Sequence, residues 1–230
     1  MNKPSFYPNA YAWMLLPFLA TLAGFGPSYF LRLTELSLAF HVHGISATLW
    51  MLLLVTQPLL YRLDRMSWHR MIGRSTLLLV PVVVISGLVM VHYMLNDPRY
   101  PEQVAYRLAF LDFSILVQFV AFYILSLKNI ARFEIHARWM ICTVFGPFIP
   151  AATRLFAWTG IAPSFIISLH MSFIAAELAL IILIIDDFRK GGFKWPYPVA
   201  LAAIAVPHLL MGFIYDWPLW QMVMRAYASL

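Results

Sequence analysis

His41, His43, His92 and His170 are imidazoles set in stretches that otherwise read as apolar helix, and Asp112 and Arg154 are charges in similar surroundings. An imidazole nitrogen can ligate haem iron or a transition metal, and a carboxylate can complete a metal's coordination shell. A second row, Glu177 and His208, has the chemistry of a proton relay. Glu177 lies two turns beyond His170 at the same helical phase, so one helix can present both to one interior.

The elements that must position these groups belong in a bilayer. Of 230 residues, 62% are hydrophobic and 11% charged, against about a quarter charged in a soluble domain. A crossing takes about 20 apolar residues, so the chain supplies roughly seven spans. Apolar windows at about 11–31, 37–60, 72–95, 107–127, 138–158, 164–185 and 197–216 predict an all-α polytopic transmembrane bundle of seven helices, a single integral membrane domain over 1–230. Their continuity excludes barrel strands, which alternate. Basic residues collect in alternate connections: Arg62, Arg65, Arg70 and Arg74, then Lys128, Arg132 and Arg138, then Arg189, Lys190 and Lys194. This places those connections and the N-terminus in the cytoplasm, in keeping with Lys3, and leaves no reason to invoke nucleic acid for the net charge of +6. The lone Cys142 excludes an internal disulfide and reads as a packing residue. The first apolar run lacks a small-residue cleavage site and is expected to be retained.

Orientation gives each polar residue a depth. His41, His43, His92, Asp112, Arg154 and His170 all fall roughly 5–10 Å inside the outer face. A charge at the centre of a span costs roughly 2.5–3.5 kcal/mol on insertion scales, less near the edge, so such residues turn inward and find partners. Residues two apart on a helix point to nearly opposite sides, so only one of His41 and His43 looks inward. His43 is the choice, because Ala47 and Trp50 continue its stripe and Gly44 admits a neighbouring helix or cofactor. His43, His170 and His92 are therefore the expected ligands of haem b or a transition metal, with Asp112 joining them for a metal and with His41 and Arg154 in support. Two plainer readings stay open: histidines bonded to water or headgroups, and an Asp112–Arg154 ion pair. Glu177 and His208 are expected partners, and a link upward to His170 would make the row a relay. Thr143, Pro147, Pro150 and Arg154 form a stripe that predicts a kinked helix beside a cavity. On the cytoplasmic face, His69, Arg70, His136 and Arg138 read as a solvated, topology-setting cluster, or as a second site for an anionic headgroup, a quinone or an acidic partner.

The HVHG of 41–44, the WHRMIG of 68–73 and the HARWM of 136–140 resemble landmarks of a family of uncharacterised bacterial multi-pass membrane proteins. That resemblance implies a bacterial inner-membrane location and supports the choice of histidines. A looser similarity is to transmembrane b-type cytochromes with two haems between histidines on four helices. It would make His43, His92 and His170 outer candidates and His69 and His136 inner ones, although these last two fall at or outside the predicted helix ends. Three functions follow as expectations: a redox-related protein with a haem or metal, a non-catalytic subunit or assembly factor among other membrane subunits, and a small-solute or proton transporter. Whether the chain is an enzyme stays open.

Overall fold

The computed structural model describes residues 7–230, and the regular structure among them is helical: α1 (Ala10–Phe25), α2 (Leu38–Arg62), α3 (Met66–Leu95), α4 (Glu102–Lys128), α5 (Phe133–Cys142), α6 (Phe145–Trp158), α7 (Phe165–Gly191), α8 (Pro196–Leu210) and α9 (Pro218–Ala228). Lys3 lies outside the described residues. Among the described residues six segments are long and apolar enough to cross a membrane: α1 with the π-helical turn Gly26–Phe30, then α2, α3, α4, the α5–α6 pair and α7. Their exposed faces carry residues such as Leu78, Ile85, Leu178 and Ile182, as lipid contact requires.

The seventh expected span is shorter than the window 197–216. Helix α8 has 15 residues, about 22 Å at 1.5 Å each, against a hydrocarbon thickness of about 30 Å. A turn and the short 3-10 helix Ile214–Asp216 complete the path, and α9 follows as an additional helix. Pro207 has no N–H for the Ala203 carbonyl, and Gln118 of α4 fills that role, its Nε2 donating to Ala203 O at 2.7 Å.

The helices close into a ring. Each of α2, α3 and α4 packs on the next, α1 on α2 and α6, α6 on α7, α7 on α8, and α8 on α4 and α5. The fifth span passes obliquely through the middle. At the end bearing the arginine-rich connections, here the basic end, α5 sits between α4 and α8. Towards the far end, α6 sits between α1 and α7. The switch occurs at Thr143–Val144, where Pro147 cannot donate back to Thr143, and the segment carries much of the core: Trp139, Cys142, Thr143 and Ile149 are buried. Trp139 stacks on Phe122, and Trp50 meets Phe119 and Tyr123 edge-on. Helices α1 and α6 touch through Gly24, where a Cβ would stand 2.1 Å from Ala151 O.

Two boundaries correct the expectation for the basic end. Helix α3 starts at Met66 and α5 at Phe133, so His69, Arg70, His136 and Arg138 lie inside helices rather than at or beyond their ends. The 30 residues of α3 reach about 45 Å, enough to carry helix through a headgroup layer as well as the hydrocarbon. Arg138 is also no solvated residue. It is 3% exposed and its partner Asp187 4%, joined by Nε to Oδ2 at 2.8 Å and Nη2 to Oδ1 at 2.5 Å. The Tyr7 hydroxyl donates to the same carboxylate at 3.1 Å. Burial, and then the Asp187 charge, raise the Tyr7 phenol above its ordinary value, which keeps it a donor at neutral pH.

Candidate functional site

A hydrogen-bonded polar row lies between α7 and α8. His170, Phe173 and Glu177 share one face of α7. Opposite them His208 stacks on the Phe173 ring, centroids 4.7 Å apart and planes at 21°. Its Nδ1 stands 2.8 Å from Glu177 Oε1 and its Nε2 3.0 Å from His170 Nδ1. The three side chains form one hydrogen-bonded row in which Glu177 is the deeper end and His170 the exposed one. With Glu177 ionised, His208 Nδ1–H donates to it, and His208 Nε2 accepts from His170 Nδ1–H.

This row opens on a cavity of about 350 Å³ between α4, α7 and α8, lined by Arg107, His170, His208 and apolar side chains. Arg107 was not among the residues singled out from the sequence. It was legible only as one of the fewer basic residues near the far-end connections, and the packing of α8 against α4 is what makes it face the histidines. Its Nη2 donates to Gly212 O at 3.3 Å, while its Nε is enclosed without a hydrogen-bond partner among the described residues.

The other singled-out residues fall into separate groups. His43 Nδ1 lies 3.1 Å from Ser86 Oγ of α3, and Ser86 in turn donates to Val82 O at 2.6 Å. His41 points to the end of α1, with Nδ1 3.4 Å from the Tyr29 hydroxyl. The room that Gly44 leaves is taken by Tyr29, whose ring carbon would stand 2.4 Å from an added Cβ. Arg154 lies within electrostatic reach of both His43 and Asp112. Its guanidinium covers the Phe25 ring at 4.7 Å and donates to Pro150 O at 3.0 Å. Among the described residues Asp112 has no hydrogen-bonded or ion-paired partner, so the Asp112–Arg154 ion pair left open by the sequence is not formed. His92 is occupied at the far end of α3, its Nδ1 3.2 Å from the Tyr227 carbonyl of α9. Thus His43, Asp112 and Arg154 share the bundle interior, His92 joins α9, and His170 joins His208 and Glu177. Among the described residues no three His, Cys, Asp or Glu side chains come close enough to share a metal ion.

At the basic end, His69 Nδ1 lies 3.2 Å from Gln57 O, and His136 Nδ1 lies 3.0 Å from Ser126 O and 2.8 Å from Ser126 Oγ. The two imidazoles are within electrostatic reach of each other. Cys142 is buried and reduced, its thiol directed to Pro196 O at 3.9 Å.

No protein-family model matches the chain, and comparison with curated proteins and with solved structures gave no significant match.

Proposed function

We propose that the chain is a multi-pass protein of the bacterial inner membrane, its basic end and N-terminus cytoplasmic, that relays a proton between the far-end cavity and the bundle interior along His170, His208 and Glu177. The observation that carries this reading is the pair of hydrogen bonds in series, 3.0 and 2.8 Å. A proton arriving at His170 Nε2 lets His170 pass its Nδ1 proton to His208 Nε2. His208 passes its Nδ1 proton to Glu177, and both imidazoles end in the other tautomer with no net charge left on them. Positive-inside bias supports the orientation, since the arginine-rich connections share one end. Infrared difference spectra of the reconstituted protein after an external acid jump test the relay. A protonated-carboxyl band that is absent in Glu177→Gln and delayed in His208→Phe is the expected result. An undelayed band in His208→Phe would remove His208 from the path.

A second reading, redox chemistry at haem b or a transition metal, draws support from one feature. His43 and His136 each tie Nδ1 to a serine hydroxyl or a main-chain carbonyl, and their Nε2 atoms have no hydrogen-bond partner among the described residues. Ligating imidazoles are held in this way, the remote nitrogen bonded and the other presented to the metal. His43 is then the first ligand to replace. A Soret band or stoichiometric metal that disappears in His43→Ala supports the reading, and colourless, metal-free protein rejects it.

A further inference from the structure

We infer that the cavity between α4, α7 and α8 binds the carboxylate of a long-chain fatty acid, with Arg107 and His170 on the head and aliphatic walls around the first carbons of the chain. The inference deepens the relay reading, because His170 belongs to both.

Arg107 is the first reason. Among the described residues its guanidinium makes one hydrogen bond, to a main-chain carbonyl at 3.3 Å, and its enclosed Nε makes none. No carboxylate lies within 4 Å of it among the described residues: Glu102 is drawn to Arg225 at 3.9 Å and Glu177 to His208 at 2.8 Å. A guanidinium in a membrane bundle without a counter-ion is costly, and an anion from outside removes that cost. His170 is the second reason, for its Nδ1–H is given to His208 and its unprotonated Nε2 is left to accept the acid's proton.

The walls decide what carries the anion. Val104, Leu108, Ile166, Leu169, Leu209 and Met211 line the rest of the cavity. Leu209 is 71% exposed and Ile166 44%, so the opening faces the side of the bundle that lipid covers, and the ligand enters from the membrane. A volume of about 350 Å³ is at the low end for ligand sites, about 300–1,000 Å³, and suits one head and part of one chain rather than a two-chain phospholipid. A cation is repelled by Arg107, and an uncharged alcohol leaves it unpaired. The bound acid also gives the relay its proton: RCOOH yields H⁺ to His170 Nε2, the imidazoles hand one on to Glu177, and RCOO⁻ stays paired with Arg107.

Oleate is the probe, titrated into the full-length protein in a mild non-ionic detergent with binding read by calorimetry. Saturable binding to wild type, weakened about tenfold or more in Arg107→Gln and kept in Arg107→Lys, is expected. Leu209→Trp, which fills the mouth of the cavity from its exposed rim, should block binding even if Arg107→Gln fails to fold. Glu177→Gln removes the relay's acceptor, lies outside the cavity lining and should leave oleate affinity intact, so failure of the relay and failure of the site are distinguishable. Equal binding to Arg107→Gln, equal binding of oleyl alcohol to wild type, or displacement of oleate by phosphatidylglycerol at comparable concentration would overturn the assignment.

Discussion

Arg138 of α5 and Asp187 of α7 grip each other through two hydrogen bonds, 2.8 and 2.5 Å long, and this clasp fixes the basic end of the central span against α7. Arg138 also donates to Glu134 O at 2.9 Å. Replacing one partner strands a buried charge, so Asp187→Asn or Arg138→Gln should cost about 3–5 kcal/mol, while the double change Arg138→Met with Asp187→Leu should recover most of that loss. Unfolding in detergent, followed for the two singles and the double, measures it. Equal losses in all three would show that packing, not charge, holds the joint.

Two glycines should respond differently to the same methyl group. At Gly24 an added Cβ meets the Ala151 main chain, 2.1 Å from its carbonyl oxygen, whereas at Gly44 it meets the Tyr29 side chain at 2.4 Å. Overpacking typically costs about 1–3 kcal/mol. Gly24→Ala should fall at or above the top of that range, because helix backbone cannot step aside. Gly44→Ala should be milder and should be relieved by Tyr29→Leu. Thermal midpoints of the four variants give the comparison, and no relief from Tyr29→Leu would contradict the contact.

Gln118 supplies the hydrogen bond that Pro207 withholds from Ala203. Gln118→Leu should leave that carbonyl unsatisfied and cost about 1–3 kcal/mol. Because Ala203 precedes His208 by little more than one turn, the same change should loosen the relay as well as α8. Hydrogen exchange over residues 203–210 should accelerate in the variant, and unchanged exchange there would show that another donor had taken over.

The far ends of α3 and α4 are capped by α9. Met224 is buried against Val91, Ala105, Tyr106 and Ala109, the Tyr227 hydroxyl donates to Leu88 O at 2.9 Å, and Trp220 Nε1 donates to Tyr106 O at 3.0 Å. Tyr227→Phe should cost about 1 kcal/mol. Met224→Ala should cost more, about 2–5 kcal/mol, through the cavity it leaves. The ranking of the two by denaturation checks whether α9 is held by packing first and hydrogen bonds second.

Much of the architecture was legible in local pattern. Continuous apolar windows mark six of the spans, and the first-order reason is that a bilayer imposes length and hydropathy on each helix separately. The common phase of His170 and Glu177 on one helix follows from spacing in the same way. The end of α8 was not legible. The window 197–216 stays apolar after the helix stops at Leu210, and the stop depends on a turn through Gly212 and on α9 docking beyond it. Nor was the start of α3 or α5 legible, because polar residues at a membrane boundary fit a helix and a loop equally well.

Local pattern alone established a helical chain of membrane-length apolar segments, seven expected where six are found among the described residues, with histidines and acids within them, since those facts depend on residues near one another in the chain. Tertiary structure alone decided which groups meet: His208 between His170 and Glu177, His92 with α9, Tyr29 in the space beside Gly44, Arg138 against Asp187, and Arg107 at the mouth of the relay. The physical reason is that a helix presents all its faces at once. Only packing selects which face meets protein and which meets lipid, and a shift of one helix by a single turn would pair a different set of side chains.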